Sequence, residues 1–322
     1  MTELTYLDAG RTALAEEMRR DGRVWALGED LGRGGVFGQY RGLVDEFGPA
    51  RIADTPISEA TIMGAAVGAA LVGSRPVVEM RFSDFALCAV DELVNQAAKA
   101  RYMFGGQGRV PLVVRQPIGM WRSSAAQHSQ SLEAWYAHIP GLVVVAPATP
   151  ADNYGLLKSA IRCDDPVVYM EHKDLWPAVG HVPVDAEGGL VPLGHGRLVQ
   201  AGSDLTIVTW SRMVDVAMAA AALPDVPSIE VIDLRTLWPW DRAMVLDSVA
   251  RTGRCLVVHE AVQAGGFGGE IAATVGEELF GRLKAPVRRL GAPRIPVAYA
   301  PVLEETSRIT AAQVADAARR MV

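Results

Sequence analysis

Short apolar blocks alternate with amphipathic stretches along the first half of the chain. The blocks have the length of buried strands, and the amphipathic stretches repeat with the period of a helix. The helical pattern covers residues 7–19, 62–73, 91–104 and 156–162, and the strand pattern covers residues 24–28, 77–80, 110–115, 142–146 and 167–171. Strands separated by helices are typical of a mostly parallel sheet with helices on its faces.

Between residues 176 and 197 the alternation gives way to Pro, Gly, His and Asp, which is typical of a linker. It then resumes, with strands at 205–209, 229–233, 255–259 and 287–290, and helices at 213–222, 242–251, 270–279 and from 311 onward. We therefore predict an α/β fold of two domains, residues 1–185 and 186–322, each with a mostly parallel sheet covered by helices.

Composition and charge narrow the choice of partners. Half of the 322 residues are hydrophobic, yet no apolar run approaches the roughly 20 residues that span a bilayer, so we expect no membrane association. A formal net charge of −6 without a basic cluster argues against nucleic acid as a partner. The high share of hydrophobic residues instead indicates large buried contacts with other subunits.

The cysteines and the first residues indicate the compartment. Cys88, Cys163 and Cys255 lie far apart without the spacing of a metal site, so we expect reduced thiols. The opening Met-Thr-Glu-Leu-Thr has neither a basic start nor an apolar core, and therefore does not look like an export signal. These features predict a cytoplasmic protein.

Residues 51–59, Arg-Ile-Ala-Asp-Thr-Pro-Ile-Ser-Glu, are the most informative segment. A strand-like approach ends in a Thr-Pro turn, and Ser58 is placed to cap a helix that begins at Glu59. The small apolar residues that follow predict a helix buried on all sides, with Glu59 at the edge of a dry interior. A carboxyl group in such a place can hold or donate a proton near neutral pH. An acid is also common in the first turn of a helix, where it stabilises the N-terminus. The position of Glu59 alone therefore does not decide between a proton-transfer role and a structural one.

Several strings in the right order resemble the β subunits of thiamine-diphosphate-dependent 2-oxoacid dehydrogenases, a family that includes pyruvate, branched-chain 2-oxoacid and acetoin dehydrogenases. Besides 51–59, they are Glu-Met-Arg-Phe-Ser-Asp-Phe (79–85), 91–106, Ala-Ala-Gln-His-Ser-Gln-Ser (125–131), 140–150, Ile-Asp-Leu-Arg-Thr (232–236) and His-Glu-Ala-Val-Gln-Ala-Gly-Gly-Phe-Gly-Gly-Glu (259–270). The resemblance implies a transketolase-like pyrimidine-binding domain followed by a C-terminal transketolase-type domain.

The resemblance also implies roles for single residues. The glutamate matching Glu59 hydrogen-bonds N1′ of the cofactor's aminopyrimidine ring and promotes the tautomer that deprotonates the thiazolium carbon. An aromatic residue at the position of Phe85 stacks on that ring, and Ile57 and Arg81 complete the expected cofactor contacts. Arg81 departs from the uncharged residues of the pyruvate and branched-chain members, so it could instead approach the substrate, or pair with Asp84 or a partner chain.

A histidine matching His128 lines the active-site channel in the similar family and is thought to meet the acyl intermediate or the lipoyl group. The position of His128 after a strand suits this role, and so does the ability of an imidazole to transfer protons near neutral pH. A solvated loop histidine is the simpler alternative.

Met120-Trp121-Arg122 departs from the small residues of pyruvate-type members. Arg122 could bind a substrate carboxylate through two hydrogen bonds, with Trp121 reshaping the pocket, or the two could form a subunit contact.

Two metal expectations follow from the resemblance. A structural potassium ion is expected on main-chain oxygens at the positions of Leu112, Ala160, Ile161, Cys163 and Asp165. Mg²⁺ and the diphosphate need Gly-Asp-Gly and a later Asn, and no Gly-Asp-Gly occurs in this sequence. Their ligands are therefore expected on a partner α subunit, in an α₂β₂ heterotetramer.

These observations favour the β subunit of an enzyme that decarboxylates a 2-oxoacid, or cleaves acetoin, and transfers the acyl group to a lipoyl acyltransferase. A free-standing acyl or ketol transferase remains an alternative, resembling split transketolases or enzymes that load acyl-carrier proteins. A third possibility is a nucleotide-binding or scaffolding subunit in which Glu59 and His128 are structural.

Overall fold

The computed structural model describes residues 1–185 and 188–322. These form two compact units, the first comprising Met1–Ile118 and Trp135–Leu193, and the second Gly119–Ala134 and Gly194–Val322. The predicted boundary between residues 185 and 186 falls on residues 186–187, which lie outside the described residues. It stays a prediction.

Strands and helices of the first half follow the predicted alternation. The strands are β1 (Thr2–Thr5), β2 (Val24–Gly28), β3 (Ile52–Asp54), β4 (Arg75–Glu79), β5 (Val113–Ile118), β6 (Val143–Val145), β7 (Val167–His172) and β8 (Val179–Val182). The helices are α1 (Tyr6–Arg20), α2 (Leu43–Phe47), α3 (Glu59–Leu71), α4 (Ala98–Met103), α5 (Glu133–Ala137) and α6 (Pro150–Arg162). The predicted helix 91–104 starts as a π-helix over Asp91–Ala97, which leads into α4.

Parallel pairing in the first unit brings the carboxyl ends of its strands to one edge. The order is β6-β7-β5-β4-β2-β3, and every pair in it is parallel. Gly28, the last residue of β2, lies opposite Asp54 at the end of β3 and Glu79 at the end of β4. Residues that follow these strands therefore start from the same edge of the sheet, where α/β proteins place their ligands.

One part of the predicted linker is ordered structure. Within 176–197, β8 pairs antiparallel with β1, from Thr2 opposite Val182 to Thr5 opposite Val179. The interpretation of this whole region as a linker was wrong, because an edge strand with one buried residue in four lacks the apolar run expected of a strand.

The second unit is also an α/β unit. Its strands are β9 (Arg197–Gln200), β10 (Leu205–Thr209), β11 (Ile229–Asp233), β12 (Thr236–Trp238), β13 (Cys255–Val262) and β14 (Arg288–Ala292), and its helices are α7 (Met213–Ala221), α8 (Arg242–Thr252), α9 (Gly268–Glu278), α10 (Pro301–Ser307) and α11 (Ala311–Arg319). Its sheet has the order β14-β13-β10-β11-β9, parallel except for β9. Among the described residues, no helix is both long and apolar enough to cross a membrane.

Candidate active site

Glu59 is the first residue of α3, as the sequence predicts, but Ser58 does not cap the helix. The Ser58 hydroxyl donates instead to Thr61 Oγ1 at 2.8 Å, and Ser58 has φ −164° and ψ 77°. The predicted cap is wrong because the Ser58 hydroxyl is hydrogen-bonded to the Thr61 side chain and accepts no backbone amide of the first turn.

Helix α3 is buried on one face only. Ile62, Met63, Ala66, Val67 and Ala70 are buried, and the helix packs there against β4 and the turns that follow it. The opposite face, with Ala60, Thr61, Ala65, Gly68 and Leu71, is exposed, and Glu59 itself is half-buried. The prediction of burial on all sides is wrong for the single chain, because its own elements cover α3 from one side.

Phe85 begins a short 3₁₀ turn, Phe85–Ala89, that packs against α3. Its ring is half-buried and stands edge-on to Phe82, with ring centroids 5.4 Å apart and an interplanar angle of 82°. Phe82 in turn meets Phe37 edge-on at 5.8 Å. Edge-on pairs are a preferred arrangement of aromatic rings, and this contact helps to fix the orientation of the Phe85 ring. Ile57, two residues before Glu59, is 76% exposed.

Arg81 is held by two acids that follow β2. Its Nε lies 3.3 Å from Glu29 Oε2, and its Nη2 donates to Asp30. Its backbone is left-handed, with φ 38°, a conformation that costs free energy in a residue other than glycine. The guanidinium is therefore committed to acids of its own chain at the same sheet edge.

Glu29 is a further residue of the candidate site, and the sequence analysis missed it. It is 7% exposed, and burial raises its pKa above the ordinary value. Arg81 opposes that increase, whereas the carboxylates of Glu59 and Asp30 add to it. Glu29 and Glu59 therefore interact electrostatically. The signal available in the sequence was its place directly after the predicted strand 24–28, where a parallel sheet directs its functional side chains.

A buried ionic network lies beneath this edge. Arg115 on β5 makes a two-pronged pair with Glu171 on β7, Nε to Oε2 at 2.8 Å and Nη2 to Oε1 at 2.9 Å. Glu79 lies 4.0 Å from Arg115 Nη1 and accepts a hydrogen bond from the Tyr40 hydroxyl at 3.0 Å. Burial raises the pKa of Glu79 to about 7. The positive charge of Arg115 opposes this increase, and the negative charge of Glu171 adds to it. Glu79 can therefore change its charge near neutral pH.

The residues predicted to meet the substrate and the acyl group belong to the second unit. Arg122 is exposed, and its guanidinium lies over the Trp121 ring at 5.1 Å from the ring centroid. His128 is half-buried in the irregular segment before α5. The backbone of Met120 donates to Glu260 Oε1 at 2.7 Å, and the indole of Trp210 donates to Glu133 Oε1 at 3.1 Å. Side chains of the second unit thus hold both ends of this segment.

The structure groups the predicted residues into two sets. Ile57, Glu59, Arg81 and Phe85 share the first unit with the additional acid Glu29, on or beside α3 and the adjoining sheet edge. The other set, Trp121, Arg122 and His128, lies in the second unit, along residues 119–134.

Two family models match most of the chain. The model described as "Transketolase, pyrimidine binding domain" matches residues 2–178, and "Transketolase, C-terminal domain" matches residues 194–314. The chain is 41% identical over 326 residues to the 2-oxoisovalerate dehydrogenase subunit beta of Bacillus subtilis (strain 168), covering 100% of this chain and 99% of that protein. It is 44% identical to the acetoin:2,6-dichlorophenolindophenol oxidoreductase subunit beta of Cupriavidus necator, covering 96% and 94% of the two chains.

This chain belongs to the family of 2-oxoacid and acetoin dehydrogenase β subunits. The motif resemblance and the predicted fold class are therefore confirmed. Another member of this β-subunit family, the pyruvate dehydrogenase E1 component subunit beta of Rhizobium meliloti (strain 1021), is 41% identical, covering 99% of this chain and 70% of that protein. A solved structure titled "Split gene transketolase, inactive beta4 tetramer" has the same fold, with a TM-score of 0.77, 22% identity, and coverage of 99% and 98%.

The potassium site expected for a β subunit of this family involves carbonyls that already accept hydrogen bonds. Arg75 Nη1 donates to Ile161 O and to Cys163 O, each at 3.0 Å. Leu112 O accepts from the Val167 amide at 2.8 Å, and Ala160 O from the Cys163 amide at 3.2 Å. Each carbonyl has a second lone pair, so these bonds leave an acceptor position on each oxygen. Potassium binding by these carbonyls and by Asp165 stays a prediction.

Proposed function

We propose that this chain is the β subunit of an α₂β₂ thiamine-diphosphate-dependent enzyme that decarboxylates a 2-oxoacid, or cleaves acetoin, and transfers the acyl group to a lipoyl acyltransferase. One observation supports it above the others: Glu59 begins α3, the helix that packs against the turn containing Phe85, in a chain whose relatives are named as β subunits of such dehydrogenases. Those relatives do not favour the free-standing transferase.

The first-unit residues fit the aminopyrimidine half of thiamine diphosphate. Glu59 offers a carboxyl group that can hold a proton at a ring nitrogen, and Phe85 offers an aromatic face for stacking. Ile57, two residues before Glu59, supplies an exposed aliphatic side chain. When bound, the cofactor supplies a carbon nucleophile for attack on a carbonyl. In this proposal the chain orients the cofactor and manages its proton.

Arg81 has a different part in this proposal from the direct cofactor contact expected from the sequence. Its guanidinium binds Glu29 and Asp30, so its positive charge stabilises the ionised forms of these two acids, and Glu29 in turn interacts electrostatically with Glu59. We propose that Arg81 tunes the charge of this acidic group and does not bind the substrate.

The second-unit residues would act on the substrate and the acyl acceptor. The imidazole of His128 can serve as a hydrogen-bond donor or acceptor, which suits a role in transfer of the acyl group to a lipoyl sulfur. The exposed Arg122 can bind a carboxylate, and its stacking on Trp121 restricts where the guanidinium points. Trp121 and Arg122 would therefore shape substrate preference.

The exposed face of α3 supports the proposed subunit structure. Ala60, Ala65 and Leu71 are exposed along it, and Val72, which follows the helix, is 86% exposed. Apolar surface of this kind is expected at a subunit contact. We propose that an α subunit brings the Mg²⁺ and diphosphate ligands. We also propose that potassium binds the main-chain oxygens described above, and that the subunits assemble in the cytoplasm.

Co-expression with an α subunit from the same organism tests this proposal. The purified assembly is screened with 2-oxoacids and acetoin, using an artificial electron acceptor. We expect thiamine-diphosphate-dependent turnover of at least one of them, and slow exchange of the cofactor C2 proton for deuterium in Glu59→Gln with assembly unchanged. Glu46→Gln, at an exposed ion pair with Arg19, is the matched control. Wild-type exchange in Glu59→Gln would refute the assigned role of Glu59.

A further inference from the structure

Residues 119–125, here called the Trp121 loop, have a strained backbone. Arg122, Ser123 and Ala125 have φ values of 45°, 58° and 61°, in the left-handed region that residues other than glycine rarely adopt. Three such residues within four positions carry an energetic cost, and such conformations persist only where surrounding contacts hold them. The contacts that hold this loop are therefore part of how it presents Trp121 and Arg122.

Helix α10 supplies two of these contacts. Glu304 Oε2 accepts the Ser123 amide at 2.9 Å, and Arg308 Nη2 donates to the Met120 carbonyl at 3.0 Å. Glu304 and Arg308 are themselves paired, Oε1 to Nη2 at 2.8 Å, so the two side chains form one charged unit. Glu304 is 4% exposed, and hydrogen bonds to a buried charged group are among the stronger ones in proteins.

Glu260, near the end of β13, supplies a third contact. Its Oε1 accepts the Met120 amide at 2.7 Å, so both backbone polar groups of Met120 are bound by charged side chains. Met120 is 2% exposed, whereas Arg122 two residues later is exposed. The loop is therefore fixed at its base, while its tip presents the arginine.

We propose that Glu304, together with Arg308 and Glu260, is a positioning residue that holds the Trp121 loop so that Arg122 meets the substrate. This inference rests on the proposed function, and it assigns Glu304 no contact with the substrate. A guanidinium displaced by about an ångström loses the geometry of a two-pronged carboxylate contact, which weakens substrate capture without altering proton transfer at the cofactor.

The test compares Glu304→Ala, Glu304→Gln and Glu305→Ala. Glu305 lies on the same helix and pairs with Arg308 Nε at 3.2 Å, but its side chain is 67% exposed and such a pair contributes little, so Glu305→Ala is the matched control. In the glutamine variant the amide oxygen can still accept the Ser123 amide, so it should restore much of what alanine loses. If the alanine variant fails to fold, the glutamine variant alone is compared with the control.

The first measurement needs no enzyme activity. Hydrogen–deuterium exchange of peptides covering 119–125, and tryptic cleavage after Arg122, are followed in the full chain. We expect at least tenfold faster exchange at Ser123 and faster cleavage in Glu304→Ala, with the control like wild type and with exchange in peptides outside residues 119–125 unchanged. Unchanged exchange and cleavage would overturn the inference.

The second measurement uses the αβ assembly with its preferred substrate. We expect the KM to rise roughly tenfold to 100-fold in Glu304→Ala, with partial recovery in Glu304→Gln and with kcat and the C2 exchange rate nearly unchanged. A fall in kcat with unchanged KM would overturn substrate positioning. An inactive wild-type assembly would instead refute the proposed function, while the exchange result still decides whether Glu304 holds the loop.

Discussion

Glu79→Gln should make the protein more stable at neutral and alkaline pH, because it removes a buried carboxyl group that must otherwise ionise. Burial raises the folded-state pKa of Glu79 to about 7 from the ordinary 4.5. The folded protein therefore binds this proton more tightly than the unfolded chain does. The stability that the protonated group contributes is fully present below pH about 4.5, and it is lost as the pH rises through about 7.

The size of the effect follows from the two pKa values. The difference between about 7 and 4.5, at about 1.4 kcal/mol per pKa unit, corresponds to about 3 kcal/mol in the free energy of unfolding. Glutamine keeps the shape of the protonated acid, and its amide oxygen can accept the Tyr40 hydroxyl that Glu79 accepts at 3.0 Å. Between pH 5 and pH 7.5 the advantage of Glu79→Gln over wild type should therefore grow by about 2 kcal/mol.

Calorimetric melting of both proteins across this pH range measures the effect. For a unit of this size, about 2 kcal/mol corresponds to roughly 4–8 °C in melting temperature. Glu46→Gln is the control, because the hydrogen bond from Arg19 lowers the pKa of Glu46, and its contribution is lost only as the pH falls below about 4.5. A difference between Glu79→Gln and wild type that stays constant from pH 5 to pH 7.5 would refute the reasoning.

Three further predictions concern the proposed reaction. His128→Ala should slow acyl transfer to the lipoyl acceptor by about 10²–10⁴-fold while the cofactor still binds, and full activity in the complete complex would make His128 only a loop residue. Arg122→Ala should lower kcat/KM for polar or acidic 2-oxoacids by roughly tenfold to 150-fold and spare small apolar ones, whereas an equal loss for all substrates would place Arg122 in a subunit contact. By calorimetry the isolated chain should not bind thiamine diphosphate tightly, and one tight site would contradict the assignment of the diphosphate ligands to the α subunit.

The sequence was sufficient for those features that depend on neighbours in the chain. Apolar blocks of strand length separated by helical periods predicted the α/β class, because burial on a covered sheet requires that pattern. The strings around Glu59, Phe85 and His128 predicted the family. The start of α3 at Glu59 was also predictable, since the Thr-Pro turn before it ends the preceding strand.

Local signals failed where a neighbour in space competes with a neighbour in sequence. Ser58 has the side chain of a helix cap, yet the Thr61 hydroxyl binds it. The small residues of α3 predicted burial on every side, but a single chain covers one face. Hydrophobicity indicates that a surface is to be covered and does not say which chain covers it.

Tertiary structure alone decided which charged groups meet. Glu29 reaches Arg81 because β2 and β4 are paired in parallel, and Arg115 reaches Glu171 because β5 and β7 are adjacent strands. Ser123 and Glu304 are 181 residues apart in the chain, and no periodicity or motif connects them. Periodicity records whether a residue is buried. The partner of a buried charge is set by strand order and helix packing, which only the folded chain defines.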